Sequence, residues 1–205
     1  MGTLNSNEKH LEEASPGALE YAHLVFTNVV DWYKNADFKA QIILTLDGAL
    51  IAFLTTSIFK KPSELLEITS RLTPGTWFLL LFMCFSLAGS IASALMCLWS
   101  RVNFGIRRDK VLGVEKKRVA EGRKPYSPNV MLFFKTISWL DHDSFQDQII
   151  TIDTPFQIRA LASQSFLLSK RVYRKHVLAN AGFVLVGISF LLFLASGVNY
   201  MVNLK

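Results

Sequence analysis

The sequence predicts an all-α membrane protein: three transmembrane helices, an amphipathic N-terminal helix and a cytosolic helical segment. Three observations carry this expectation. Hydrophobic residues make up 51% of the 205 positions, and the mean hydropathy is positive, both high for a soluble chain. Segments 40–59, 72–100 and 177–203 are each long enough to cross hydrocarbon, which takes about 20 apolar residues. The second and third of these carry no charge, and the first carries one, Asp47. The basic residues are unevenly spread. Between Arg101 and Lys124 there are nine Lys or Arg against three acids, whereas 60–71 holds three basic residues.

Taken in order, 1–39 reads as a polar tail followed by an amphipathic helix. Ser15 and Pro16 form an N-cap and first-turn proline. Leu19, Ala22, Phe26, Val29, Tyr33, Ala36 and Ala40 then recur at helical spacing. The helix is expected to run straight into the first span. The first apolar run is not expected to be a cleavable signal peptide, because it starts late, after 39 mostly polar or amphipathic residues. Residues 40–100 form a two-span hairpin around a short polar loop. Residues 101–176 form a basic helical segment, broken at Pro125, Ser127 and Pro128. Within it "VMLFFKTISWL" is about 11 residues long and contains Lys135, so it predicts a buried or interfacial helix. "LDHDSFQD" reads as a polar turn. Asp153, Thr154 and Pro155 start one long helix that continues through the third span, 177–203. Its apolar stripe is Phe156, Ile158, Leu161, Ala162, Phe166, Leu168, Val172 and Tyr173.

Orientation follows from the positive-inside bias. Arg101, Arg107, Arg108, Lys110, Lys116 and Lys117 follow the second span, and Lys170, Arg171, Arg174 and Lys175 precede the third. This puts 101–176 and the N-terminus in the cytosol and the C-terminus outside.

The residues give little sign of catalysis. The histidines, at 10, 23, 142 and 176, show no ligand spacing. There is no phosphate loop, nucleophile elbow or HExxH. Cys84 and Cys97 lie thirteen residues apart in one span, about 20 Å along a helix, which excludes a bond between them. No metal and no enzymatic activity are expected. The basic segment suits anionic headgroups or an anionic small ligand. It lacks the interleaved aromatics of a nucleic-acid stacking platform.

Asp47 is the conspicuous residue. A carboxylate at the bilayer centre costs about 3 kcal/mol on the insertion scale. Ala36, Ala40 and Asp47 share one helix face, small apart from the carboxylate and suited to close packing. Matching small surfaces are Ala88, Gly89, Ala92 and Ser93 in the second span and Ala181, Gly182, Gly187 and Ser189 in the third. Two readings stay open: a polar seam or pore lining, and a neutral acid hydrogen-bonded inside a packed bundle. Asp37 and Lys39 point to nearly opposite sides of the helix, so each is expected to find a partner on another helix or subunit.

Three stretches together carry a resemblance. "NADFKAQIILTLDGALIAFL" opens the first span, "FFKTI" lies at 133–137, and "QIRALASQSFLLSKRVYRKHVLANA" leads into the last span. In order and spacing the chain resembles the transmembrane effector family of the Pycsar antiphage defence system over about residues 20–200. That family's lysine–tyrosine pair before the last span has no unique counterpart here. The resemblance implies a membrane effector in the bacterial inner membrane. It would be activated by a cyclic pyrimidine mononucleotide from a partner cyclase and would impair the membrane when triggered. A homo-oligomer in the lipid bilayer is expected, with no nucleic-acid partner. Asp37, Lys39 and Asp47 are the expected motif and seam residues. Arg107, Arg108, Lys170, Arg171, Arg174 and Lys175 are candidate phosphate contacts, and Phe134, Trp139 and Tyr173 candidate base-stacking groups. The alternatives are a non-gated membrane assembly or interaction subunit and a small ion transporter.

Overall fold

The computed structural model describes residues 16–58, 69, 72–99, 113, 127–131 and 134–203. Six helices are present among them: α1 (Pro16–Ile58), α2 (Pro74–Leu98), α3 (Pro128–Met131), α4 (Phe134–Ile137), α5 (His142–Ile150) and α6 (Thr154–Val202). No strand occurs among the described residues. Three helices, α1, α2 and α6, are long and apolar enough to cross a membrane.

Local chemistry sets the helix ends. α1 begins at Pro16 and runs unbroken for 43 residues, so amphipathic segment and first span are one helix. Thr73 caps α2, its Oγ1 accepting from the Thr76 amide at 3.4 Å, with Pro74 in the first turn. Asp153 caps α6, its carboxylate accepting from the Phe156 amide at 2.9 Å. α6 then continues for 49 residues into the third span.

Two expectations for the middle of the chain change. The single helix expected across "VMLFFKTISWL" is two one-turn pieces, α3 and α4. Thr136 donates its hydroxyl to the Val130 carbonyl at 2.7 Å, folding the second piece back on the first. "LDHDSFQD" is not a turn but opens α5. Asp143 sits in its first turn, where a carboxylate meets the positive end of the helix dipole.

The chain divides into two compact units, 1–32 with 100–171 and 33–99 with 172–205. α1 and α6 each contribute their first part to one unit and the remainder to the other.

In the first unit Val29, Val130, Met131, Ala160, Leu161, Thr136, Gln148 and Ser165 are buried. Phe166 of the expected stripe is 61% exposed. Ala160, Leu161 and Ser165 take the inner positions of α6 here, while Ala162 and Ser169 are exposed.

The second unit contains the three spans. Their buried positions follow alternating steps of three and four. These are Ala36, Ala40, Ile43, Asp47 and Leu50 on α1, and Met83, Ser86, Ser90, Ser93 and Cys97 on α2. On α6 they are Val172, Lys175, Ala179, Gly182, Val186 and Ser189. A seven-residue repeat of this kind keeps one seam of each helix facing its neighbours over many turns. Ala36, Ala40, Ser86, Ser90, Ser93, Cys97, Ala179, Gly182 and Ser189 keep much of the seam small, which lets the backbones approach closely in the absence of a hydrophobic drive between helices in lipid. Gly182 marks the tightest point: a Cβ there would lie 3.0 Å from Ile43 Cδ1 and 3.7 Å from the Ser90 carbonyl oxygen. The outer face of α2 is bulky instead, with Phe78, Leu81, Phe82, Phe85, Leu95 and Met96 exposed. Trp77 and Trp99 stand exposed at its two ends, as in the aromatic belts of membrane proteins.

Candidate functional site

Two features of the membrane unit combine polar chemistry with burial. The first is a ladder between α2 and α6. Ser86 donates its hydroxyl to the Leu185 carbonyl at 2.8 Å, Ser90 to that of Gly182 at 3.2 Å, and Ser93 to that of Leu178 at 2.7 Å. Cys97 Sγ continues it, 3.5 Å from the Lys175 carbonyl and 3.6 Å from that of Ala36 on α1. At the other end the Asn199 amide donates to Thr76 Oγ1 at 2.9 Å. These pairs run the two helices antiparallel and bond them at successive turns from Ser86 to Cys97 and again at Thr76. A bond of this type between membrane helices contributes about 0.6 kcal/mol, so the three hydroxyl rungs supply about 2 kcal/mol.

The second feature is a cluster at the cytosol-facing end expected for the bundle. Lys175 forms an ion pair with Asp37, and its ammonium also lies 3.8 Å from the centre of the Tyr33 ring. The Lys175 side chain is 11% exposed and that of Asp37 28%. The cluster joins α1 to α6. Further along, Ile43 packs on Gly182, and the Phe53 and Phe193 rings meet edge-on at 5.7 Å. α1 and α6 therefore run parallel, with 37 beside 175, 43 beside 182 and 53 beside 193.

Asp47 lies midway, 1% exposed. Neither carboxyl oxygen has a hydrogen-bond partner of good geometry. The Ser90 hydroxyl comes near enough to act on it but is directed at the Gly182 carbonyl. The Ser189 hydroxyl, on α6, is also fully buried and unpartnered.

The remaining predicted residues lie as follows. Lys39 is half-buried on α1 and does not join the Asp37 cluster. Lys170, Arg171, Tyr173 and Arg174 are exposed on α6, and the Lys170 ammonium lies 4.3 Å above the Phe166 ring. Trp139 is half-buried just beyond α4, and Phe134 begins α4. Arg107 and Arg108 lie outside the described residues. Among the described residues no group of His, Cys, Asp and Glu could hold a metal ion. Of the small surfaces expected to meet Asp47, Ser93, Gly182 and Ser189 are buried, whereas Ala88, Ala92, Ala181 and Gly187 face outward. Sequence reasoning missed Tyr33 as a partner and missed Ser86, Ser90 and Cys97. The signal for the last three was their spacing of four and seven residues, shared with Ser93.

No curated protein and no solved structure matches this chain. A family model, PycTM, described as the Pycsar effector protein domain, matches residues 21–200, a stretch that includes all three spans, the ladder, the Lys175 cluster and Asp47. The chain therefore belongs to the Pycsar effector family, as a membrane effector of antiphage defence.

Proposed function

We propose that this effector impairs the bacterial inner membrane when triggered, and that the trigger is a cyclic pyrimidine mononucleotide supplied by a partner cyclase. The observation that carries the reading is the unequal attachment of the three spans. α2 and α6 are bonded turn by turn. α1 is held by the Lys175 cluster and the long Cys97 contact to the Ala36 carbonyl at one end, by apolar packing along its length, and has an unpartnered carboxylate in the middle. α1 is the span whose release costs least, and its release uncovers Asp47, Ser90 and Ser189 to water.

Ligand binding shifts the balance between a closed and an open state, to the extent that it favours one over the other. A bias of about 5.5 kcal/mol carries a population from 1:99 to 99:1. The exposed cations Lys170, Arg171 and Arg174, with Tyr173 between them, supply charge-assisted donors for a phosphate and a face for a base. Lys175, one residue further, is the cation that holds α1, so a phosphate drawn to this stretch of α6 competes with Asp37 for it. Arg107, Arg108, Phe134 and Trp139 remain candidates on their chemistry. The N-terminus is cytosolic in this reading, copies of the chain assemble as a homo-oligomer, and no catalytic step is invoked.

The test is membrane potential in bacterial cells expressing the full chain, with and without a co-expressed cyclase making a cyclic pyrimidine mononucleotide. Depolarisation is expected only when both are present. A protein that inserts normally yet leaves the potential unchanged with both cyclic UMP and cyclic CMP would refute gating by this ligand class.

A further inference from the structure

We infer that the centre of the three-span bundle is a binding site for a single monovalent cation, a proton or an alkali ion, built on Asp47 with hydroxyl support from Ser90 and Ser189. The argument is one of charge and of hydrogen-bond accounting. Asp47 is 1% exposed, and both of its carboxyl oxygens lack a partner. Ser189 is 0% exposed, and its hydroxyl lacks one too. Buried polar groups in folded proteins are ordinarily paired, so two orphans on different helices of one bundle point to something between them.

Their placement agrees. With Ile43 packed on Gly182 and Phe53 on Phe193, Asp47 comes level with about Val186, and Ser189 follows within one turn on the same seam. Ser90, on α2, lies close to Asp47 with its hydroxyl proton directed at the Gly182 carbonyl. Three helices thus each contribute one oxygen-bearing side chain.

Among the described residues no cation stands beside Asp47. Besides Asp47, the ionisable groups in 40–56, 74–98 and 177–202 are Cys84, Cys97 and Tyr200. Cys84 faces outward, and Cys97 donates to main-chain carbonyls. Lys175 is paired with Asp37 and lies about three turns away along the bundle. Lys39 lies eight residues before Asp47 on α1. A carboxylate left ionised and alone in such a place is costly, so the neutralising cation comes from solution. One carboxylate with hydroxyls suits a singly charged ion, since hard cations of higher charge gather several carboxylates. The site then acts as a lock: a loaded cation makes the closed bundle stable, and parting of α1 from α6 releases it.

The experiment uses the full chain in detergent micelles and follows its thermal midpoint, Tm. One series replaces N-methyl-D-glucamine chloride with sodium chloride at fixed pH and ionic strength. A second varies pH without sodium. An alkali site predicts that Tm rises with sodium in the wild type, that the rise vanishes in Asp47→Asn, and that Ser189→Ala shifts the half-maximal sodium concentration upward about tenfold. A proton site predicts no sodium effect, a Tm that rises as pH falls in the wild type, and loss of that pH-dependent increment in Asp47→Asn, which keeps shape but cannot ionise. Wild type and Asp47→Asn responding identically in both series would overturn the inference. Asp47→Leu, which removes the polar group, separates this from packing: it should be insensitive to both ions yet folded.

Discussion

Lys175→Met is expected to loosen α1 from α6 by about 2 kcal/mol. Removing one partner of a fully buried ion pair costs about 3–5 kcal/mol, because the other charge is left uncompensated. Here the Asp37 side chain is 28% exposed and that of Lys175 11%, so water reaches the orphaned carboxylate and the cost falls below that range, to about 2 kcal/mol. At about 1.4 kcal/mol per tenfold, that is roughly a 30-fold shift towards the released state. The contact of the ammonium with the Tyr33 ring disappears in the same variant and adds to the loss. Asp37→Leu orphans the ammonium instead, which keeps Tyr33, and should cost less. The double variant leaves no unpaired charge and should recover to within about 1 kcal/mol of wild type. The assay is a double-mutant cycle on thermal unfolding in detergent, with untriggered depolarisation in cells at matched expression as the functional counterpart. Lys170→Met, on an exposed cation, is the control. Strictly additive single costs, or a Lys175→Met cost no larger than that of Lys170→Met, would refute the reasoning.

Four further outcomes are expected. A reporter fused after Lys124 should be cytosolic and one after Lys205 periplasmic; the same side for both would refute the three-span orientation. Reversing charge at the exposed Arg171 and Arg174 together should abolish ligand-triggered depolarisation while membrane fractionation shows normal insertion. Ala36→Cys puts a thiol beside Cys97, whose Sγ is 3.6 Å from the Ala36 carbonyl; oxidation should tie α1 to α2 and block depolarisation, and reductant should restore it. Gly182→Ala should cost about 1 kcal/mol in unfolding measurements, since its Cβ is tight only against the flexible end of Ile43 at 3.0 Å and in ordinary contact with the Ser90 carbonyl at 3.7 Å, whereas Gly182→Leu should cost about 3 kcal/mol by forcing the helices apart.

Composition and hydropathy sufficed for the three spans because the bilayer imposes helix length directly on the sequence. The continuity of α1 and α6 was legible from unbroken periodicity through Ala36–Ala40 and through Val172. The middle of the chain was less so. In "VMLFFKTISWL" an apolar run has no period that tells one helix from two turns, and the Thr136 bond to Val130 that decides it is tertiary. Asp37 and Asp47 stood out as charges out of place, but their surroundings depend on register between helices more than a hundred residues apart. Lys175 shows the limit most plainly. By sequence it is one of four cations in 170–175. Rotation about α6 alone turns it inward to Asp37 and leaves Lys170, Arg171 and Arg174 outside.

In the ladder between α2 and α6, the donors are side chains and the acceptors are main-chain carbonyls. The information for pairing is therefore written on one helix. Leu178 and Leu185 accept through atoms that every amino acid carries, so their side chains are at liberty to drift over evolutionary time without unpicking a rung. Ser86, Ser90 and Ser93 have no such latitude. Homologous effectors should accordingly show a slow clock on the inner face of the second span and a faster one at the positions of Leu178 and Leu185 opposite it.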